Sequence, residues 1–232
     1  MEWKTILGDE WSSLLNNFII SDNMSSIIYK VSLERQKYTV FPGKNEFYKM
    51  FRIFKELQPS NIKVIIIGQD PYPDGTGTGY SFCNNGKLPS GMSPSLRNIL
   101  KEIENNDTEK DKLVIDEMDL QRWVDQGVFL VNSFLTVRKG EPGSHTFWAP
   151  FTKYWITQLN SYNNIVWLMW GRKSQEYIEL IKNDTHEIIK SSHPSPLGAN
   201  KSSEDSPAFL GSKCFEKVNN ALWIRENKLI KW

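Results

Sequence analysis

Four short apolar runs, none of them alternating, constrain this chain most. They are Lys63-Val64-Ile65-Ile66-Ile67-Gly68, Val128-Phe129-Leu130-Val131-Asn132-Ser133, Ile165-Val166-Trp167-Leu168-Met169-Trp170-Gly171 and the shorter Glu187-Ile188-Ile189-Lys190-Ser191-Ser192. A strand with one wet face alternates apolar and polar residues. A continuous run belongs to a strand covered on both faces. Between the runs lie segments with helical spacing, at about 93–105, 119–126, 148–160 and 172–183, and another at about 212–224. Strand–helix alternation calls for right-handed crossovers and a parallel sheet. The predicted fold is α/β: a central four-stranded parallel sheet flanked by helices on both faces, in three α/β/α layers.

Upstream of the first run, residues 9–21 and 23–36 mix apolar and polar positions at helical spacing, with Asp22 as the expected N-cap. Phe41-Pro42-Gly43 breaks the chain. A helix is then expected over Lys44–Leu57, its core stripe formed by Phe47, Met50, Phe51 and Phe54. At 232 residues the chain is read as a single domain over 1–232, with residues 1–40 as a helical segment packed on it.

Several function classes drop out early. No apolar run approaches the roughly 18 residues of a membrane span. The N-terminus MEWKTILGDEW lacks the plan of a signal peptide. Cys83 and Cys214 stand 131 positions apart, and no CxxC pair or Cys/His cluster exists for zinc or iron–sulfur. Neither a metal nor a cofactor is therefore expected, and an intracellular, reducing compartment is. That is the cytoplasm for a bacterial chain, or the nucleus or a viral replication site for a eukaryotic or viral one. The net charge of +1 is unevenly spread. Residues 101–132 hold 4 bases and 9 acids, and residues 133–232 hold 13 bases and 9 acids. A polyanion would be repelled by the first segment and mildly attracted by the second.

The residues just past each run carry the chemistry. The first run leads into Gln69-Asp70-Pro71-Tyr72-Pro73, the second ends in Asn132, the third in Gly171-Arg172, and the fourth enters His193-Pro194-Ser195-Pro196-Leu197. In open α/β sheets the ligand crevice lies beyond the carboxyl ends of the strands. Four loops distant in sequence are therefore predicted to converge with a carboxylate, an amide and an imidazole. Each residue alone has a structural alternative: Asp70 as a turn aspartate, Asn132 as a loop clamp, His193 as a satisfied loop histidine.

Together these segments resemble family 1 uracil-DNA glycosylases. Gly68-Gln69-Asp70-Pro71-Tyr72 and His193-Pro194-Ser195-Pro196-Leu197 are similar to that family's two signature loops. Val131-Asn132-Ser133, Leu135-Thr136-Val137-Arg138 with Ser144-His145, Leu168-Met169-Trp170-Gly171, and Leu88-Pro89 through Pro94-Ser95-Leu96 match segments between them, in unchanged order along the chain. The resemblance implies a monomeric, metal-independent hydrolase that excises uracil from single- and double-stranded DNA. It also admits a uracil-glycosylase inhibitor protein as a partner. It assigns catalysis to Asp70, which directs water and stabilises a cationic sugar, and to His193, which donates to uracil O2. It assigns base binding to Asn132, which reads the uracil edge, Phe82, which stacks, Tyr72, which blocks the thymine methyl, and the Gln69 main chain. It assigns DNA contacts to Ser95, Ser195 and the wedge Leu197.

The chemistry agrees with those roles. A base inside a duplex must be flipped out before it can be read or cleaved, and an apolar wedge helps hold the gap. A carboxylate beside a developing cation and a fixed donor beside a developing anion act most strongly in the transition state.

The chain departs from the family pattern at Pro73, where histidine is usual, and at Arg172 and Gly198, where serine is common. Residues 200–208 read as an insertion, and the Asp74–Gly79 loop is glycine-rich. These departures are expected to touch DNA gripping more than base chemistry, with Arg172 taking a backbone phosphate in partial replacement of the serine lost at Gly198. Two other readings stay open: a non-catalytic glycosylase-fold processivity subunit, and a related glycosylase for mismatched or damaged bases.

Overall fold

The structure is a computed structural model, which describes residues 2–85, 91–104 and 120–232. Leu88, Pro89 and Ser90, and the outer ends of the helices expected at 93–105 and 119–126, lie outside the described residues. Six strands are present among the described residues: β1 (Val40–Phe41), β2 (Val64–Gly68), β3 (Val128–Asn132), β4 (Val137–Arg138), β5 (Val166–Trp170) and β6 (Glu187–Ser191). β2, β3, β5 and β6 are the four predicted runs. They form one parallel sheet in the order β3-β2-β5-β6, within a three-layer α/β fold. Every residue of β2, β3 and β5 is buried, as runs without alternation require. The small antiparallel ladder of β1 and β4 is not legible in the sequence, because two residues are too few to show a period.

The register shapes the site. β2 pairs with β3 as far as Gly68↔Asn132, and β5 pairs with β6 as far as Trp170↔Ser191. Between β2 and β5 the pairing stops at Ile66↔Leu168. The two central strands part beyond that point, at the place where the strand order reverses, and a crevice opens at their carboxyl ends.

The N-terminal helices belong to the same apolar core as the sheet. Trp11 is fully buried, stacks on Phe129 at 5.3 Å between ring centres, and donates from Nε1 to Leu57 O at 2.9 Å. Two expectations need correction here. Asp22 is the first helical residue of Asp22–Lys37, not its cap; Ser21 holds the cap position in extended conformation. The Lys44–Leu57 stretch is not one helix. A 3₁₀ segment, Lys44–Met50, gives way to an α-turn, Arg52–Glu56, with Glu46 and Phe51 outside helical angles. The aromatic stripe survives the break: Met50, Phe51 and Phe54 are buried and Phe47 packs against them. Burial at these positions does not require a continuous helix. The 172–183 segment is likewise split, with a helix only over Arg172–Gln175 and a 3₁₀ turn at Ile178–Leu180.

Candidate active site

Gln69, Asp70, Tyr72, Phe82, Ser95, Asn132 and His193 line a single cleft of about 230 Å³ at the carboxyl end of the sheet. The convergence expected from sequence is thus present for all of the predicted base-binding and catalytic residues. Gly68 makes the junction of β2 and β3 compact. A Cβ there would come within 2.5 Å of Asn132 Oδ1 and 2.8 Å of Ser81 Cβ.

Asp70 is held asymmetrically. Its Oδ2 accepts the Gly143 N–H and the Gln69 side-chain amide, each at 2.9 Å. Its Oδ1 is buried and has no hydrogen-bond partner among the described residues. Burial pushes the carboxyl group up to about 6, against the pull of those two donors. An oxygen that is buried, unpaired and ionisable near neutral pH is chemically fit to orient a water.

His193 has a defined tautomer. The Ser195 N–H lies 3.0 Å from Nδ1 and donates to it, so Nδ1 carries no proton and Nε2–H is the donor. Burial pushes the imidazole below its ordinary range, which keeps it neutral at pH 7. Its loop is pressed between two glycines. A Cβ on Gly171 would meet His193 Cβ at 2.8 Å, and one on Gly198 would meet the His193 carbonyl oxygen at 2.6 Å. Asn98 Nδ2 donates to Pro194 O at 2.7 Å, tying the loop to helix Pro94–Glu104, which also carries Ser95. Gly198 is therefore not simply a lost DNA contact. It is also the close approach that seats His193, beside the gripping role that the sequence suggests for this position.

The floor and walls of the cleft are tied together by ring contacts and hydrogen bonds. Phe82 holds φ +62°, an uncommon state for an aromatic residue, and packs on Trp170 at 5.4 Å and on His193 at 5.8 Å between ring centres. The Tyr72 hydroxyl lies 3.0 Å from the Phe82 carbonyl oxygen and 2.6 Å from Ser93 Oγ. Burial pushes that phenol up to about 12, so it stays protonated. Asn132 is 7% exposed. No hydrogen bond joins its side chain to another described residue, and its donor and acceptor are both unspent. The Gln69 carbonyl accepts the Phe134 N–H at 2.9 Å, which leaves the Gln69 N–H as the main-chain group open to a ligand.

The predicted DNA contacts sit around this cleft. Arg172 is exposed and lines an adjoining cleft with Gln69 and His193. Leu197 is 80% exposed on the histidine loop, and Ser195 is half-buried two residues before it. His145, by contrast, is fully buried, with Nδ1 2.7 Å from Thr136 Oγ1. Sequence reasoning missed Gly143 and the Ser195 N–H because both act through main-chain amides, which no residue type announces. It also missed Trp170 beneath Phe82, read only as strand. Among the described residues no three His, Cys, Asp or Glu side chains cluster as they would around a metal ion.

An ionisable carboxylate, a neutral imidazole donor and a free carboxamide around an aromatic floor fit an α/β enzyme that grips a planar ring bearing amide-like edges and cleaves a bond beside it. The chain belongs to the uracil-DNA glycosylase superfamily, whose family model matches residues 54–223. It is 38% identical to the uracil-DNA glycosylase of Flavobacterium johnsoniae, over 97% of this chain and 98% of that protein. It is 36% identical to the uracil-DNA glycosylase of Equine herpesvirus 2, over 100% of this chain and 90% of that protein. The crystal structure of mimivirus uracil-DNA glycosylase superimposes with a TM-score of 0.86 at 28% identity, covering 100% of this chain and 89% of that one. A variant of the same viral enzyme has been solved in complex with UGI.

Proposed function

We propose that this protein is a DNA repair enzyme that flips uracil out of DNA and hydrolyses its N-glycosidic bond, leaving an abasic site. The observation that carries the reading is the pairing of a free, buried Asp70 Oδ1 with a His193 imidazole whose donor is Nε2–H, in one cleft. Bond cleavage leaves a cationic sugar and an anionic base. Asp70 is the group that orients water toward that sugar and offsets its charge. His193 Nε2–H is the donor toward uracil O2. A donor placed where charge develops is worth about 10²–10³ in rate.

Asn132 offers its carboxamide to the uracil edge, and the Gln69 N–H is the main-chain partner. Phe82 stacks on the base. Tyr72 occupies the space a 5-methyl group would need. Ser95, Ser195 and Arg172 hold backbone phosphates, and Leu197 enters the gap in the duplex. The whole chain, N-terminal helices included, acts as one monomeric unit on single- and double-stranded DNA. A UGI-type inhibitor is a candidate ligand of the same face. A processivity subunit would need neither Asp70 nor His193, and both are in place.

The test is release of free uracil from single- and double-stranded uracil-containing DNA, in EDTA. Native protein should release uracil. Asp70→Asn and His193→Ala should each be slower by at least about 10²-fold in single turnover while remaining folded. Near-native rates in both variants would refute the assignment. Tyr72→Ala should admit thymine and Asn132→Asp should admit cytosine, because the carboxylate can accept from the cytosine amino group.

A further inference from the structure

An ion-pair cluster joins the N-terminal helix Asp22–Lys37 to the loop behind Asp70. Arg138 grips Glu34 with two arms, Nε to Oε2 at 2.5 Å and Nη2 to Oε1 at 2.9 Å. Its third arm, Nη1, donates to Glu141 at 3.2 Å, and the guanidinium lies 4.1 Å from the centre of the Tyr38 ring. The two side chains of the main pair are 26% and 20% exposed, and the pair links positions 104 apart in sequence. A bidentate arginine–carboxylate pair fixes direction as well as distance.

Arg138 opens a loop that is closed on itself. Its N–H donates to Ser144 Oγ at 2.9 Å, its carbonyl accepts the Glu141 N–H, and the Glu141 carbonyl accepts the Ser144 N–H, each of these last two at 3.2 Å. The inner side of the same loop faces the cleft. Gly140 N–H donates to Pro73 O at 2.9 Å, and Gly143 N–H donates to Asp70 Oδ2 at 2.9 Å. Gly143 has φ +76°, and a Cβ there would approach the Gln69 amide nitrogen to 3.0 Å. The two donors on Oδ2 are thus packed against each other. The loop is pulled from outside by the N-terminal helix and bonded from inside to the aspartate.

We infer that Glu34 and Arg138 are positioning residues for Asp70: their ion pair holds the 138–144 loop so that the Gly143 N–H stays on Oδ2 and Oδ1 stays free to face water. The inference rests on the proposed role of Asp70 as the water-directing group. A displacement of about 1 Å far from the chemistry can cost 10²-fold in rate, and an untied surface loop opens readily. The N-terminal helix is then part of the enzyme's working machinery, although none of its residues lines the cleft.

The surroundings of both groups are defined. The pair is faced by Glu141, Tyr38 and the buried His145, whose Nε2 lies 3.4 Å from Glu34 Oε2, with Arg35 nearby on the same helix. Asp70 is faced by Gln69 and Gly143, with Tyr72 and His193 on the same cleft. His193 takes no hydrogen bond from the 138–144 loop. Loosening that loop should therefore move the titration of Asp70 and leave that of His193 in place. The Gly143 N–H favours the ionised carboxylate, so its loss makes Asp70 harder to ionise.

The experiment compares Glu34→Gln, Arg138→Lys, the double variant and Asp70→Asn with native protein. Single-turnover uracil release is followed from about pH 5 to 8, together with DNA affinity and thermal unfolding. Glu34→Gln and Arg138→Lys should each slow release about 10- to 100-fold at pH 7 with affinity within about twofold. The acid limb should move upward by roughly half a unit or more, and the double variant should be no slower than the worse single one. Folded variants with native rates and a native acid limb would overturn the inference, whatever happens to their melting temperature. If Glu34→Gln does not fold, Arg138→Lys keeps the charge, loses the fork, and gives the same pH readout. An inactive Asp70→Asn beside native-like pair variants would reject positioning and leave the proposed function standing. A native rate in Asp70→Asn would reject both.

Discussion

Among the described residues Asp70 finds two donors on one oxygen and none on the other, inside a cleft that pushes its carboxyl group up to about 6. In the proposed mechanism both groups need their high-pH forms: Asp70 must be ionised, and His193 must be neutral for Nδ1 to accept the Ser195 N–H. Release should therefore fall by at least about tenfold per unit as pH drops below about 6, and more steeply once both groups are protonated, measured as kcat/KM against pH. Stability follows the opposite sign. Asp70 ordinarily titrates near 3.8, so the folded state binds its proton more readily than the unfolded chain between about pH 4 and 6. Above pH 6 the buried charge destabilises the fold, by at most ~3 kcal/mol for a rise of this size and less where solvent reaches the cleft. Asp70→Asn should thus unfold at higher urea than native protein at pH 8, and the gap should close as pH falls towards 4. A variant less stable than native at pH 8 would contradict the burial argument. At this scale sequence foresaw which side chains share the cleft, since Asp70 and Asn132 lie at or just past the end of a buried run and His193 two residues past β6. It was silent on Gly143, on the Ser195 N–H and on the positive φ of Phe82, because those depend on how distant loops close on each other.

Strands were easier to foresee than helices for a reason visible in particular residues. Val64–Gly68 and Val166–Trp170 are buried on both faces, and their lack of alternation states that directly. Lys44–Glu56 satisfies a helical stripe while changing helix type at Phe51, because the core asks only that Met50, Phe51 and Phe54 point inward. The histidine loop shows the same limit. Its Gly198 reads in sequence as a missing phosphate donor, yet the residue stands where a Cβ would press 2.6 Å from the His193 carbonyl oxygen. Gly198→Ser should consequently shift His193 away from its seat between Gly171 and Gly198. We expect uracil release to slow by about tenfold or more, with no gain in DNA affinity, in single-turnover and binding assays on the same preparation. A variant that binds DNA more tightly at a native rate would restore the simpler view of this position as a missing phosphate contact.

Across the whole molecule, a net charge of +1 leaves little general attraction for a polyanion, so affinity must come from a few placed contacts. Arg172 is the best placed of the exposed cations. It lies just past β5, lines a cleft shared with Gln69 and His193, and makes no ion pair with another described residue. Lys173 beside it is partly occupied by Glu176 at 3.2 Å. A free guanidinium at that position can take a phosphate with two donors, which a serine cannot match. Each phosphate neutralised releases condensed counterions, so binding weakens with salt by a slope of about 0.9 per contact on duplex and about 0.7 on single strands. Arg172→Ser should therefore weaken binding to uracil-containing DNA uniformly, leave the preference for uracil unchanged, and flatten the log–log salt plot by about one contact. Titrations of both proteins from about 50 to 200 mM salt, on duplex and on single strands, provide the comparison. Parallel plots for native and variant protein would mean that Arg172 is a solvated surface residue and that the phosphate grip rests on Ser95 and Ser195.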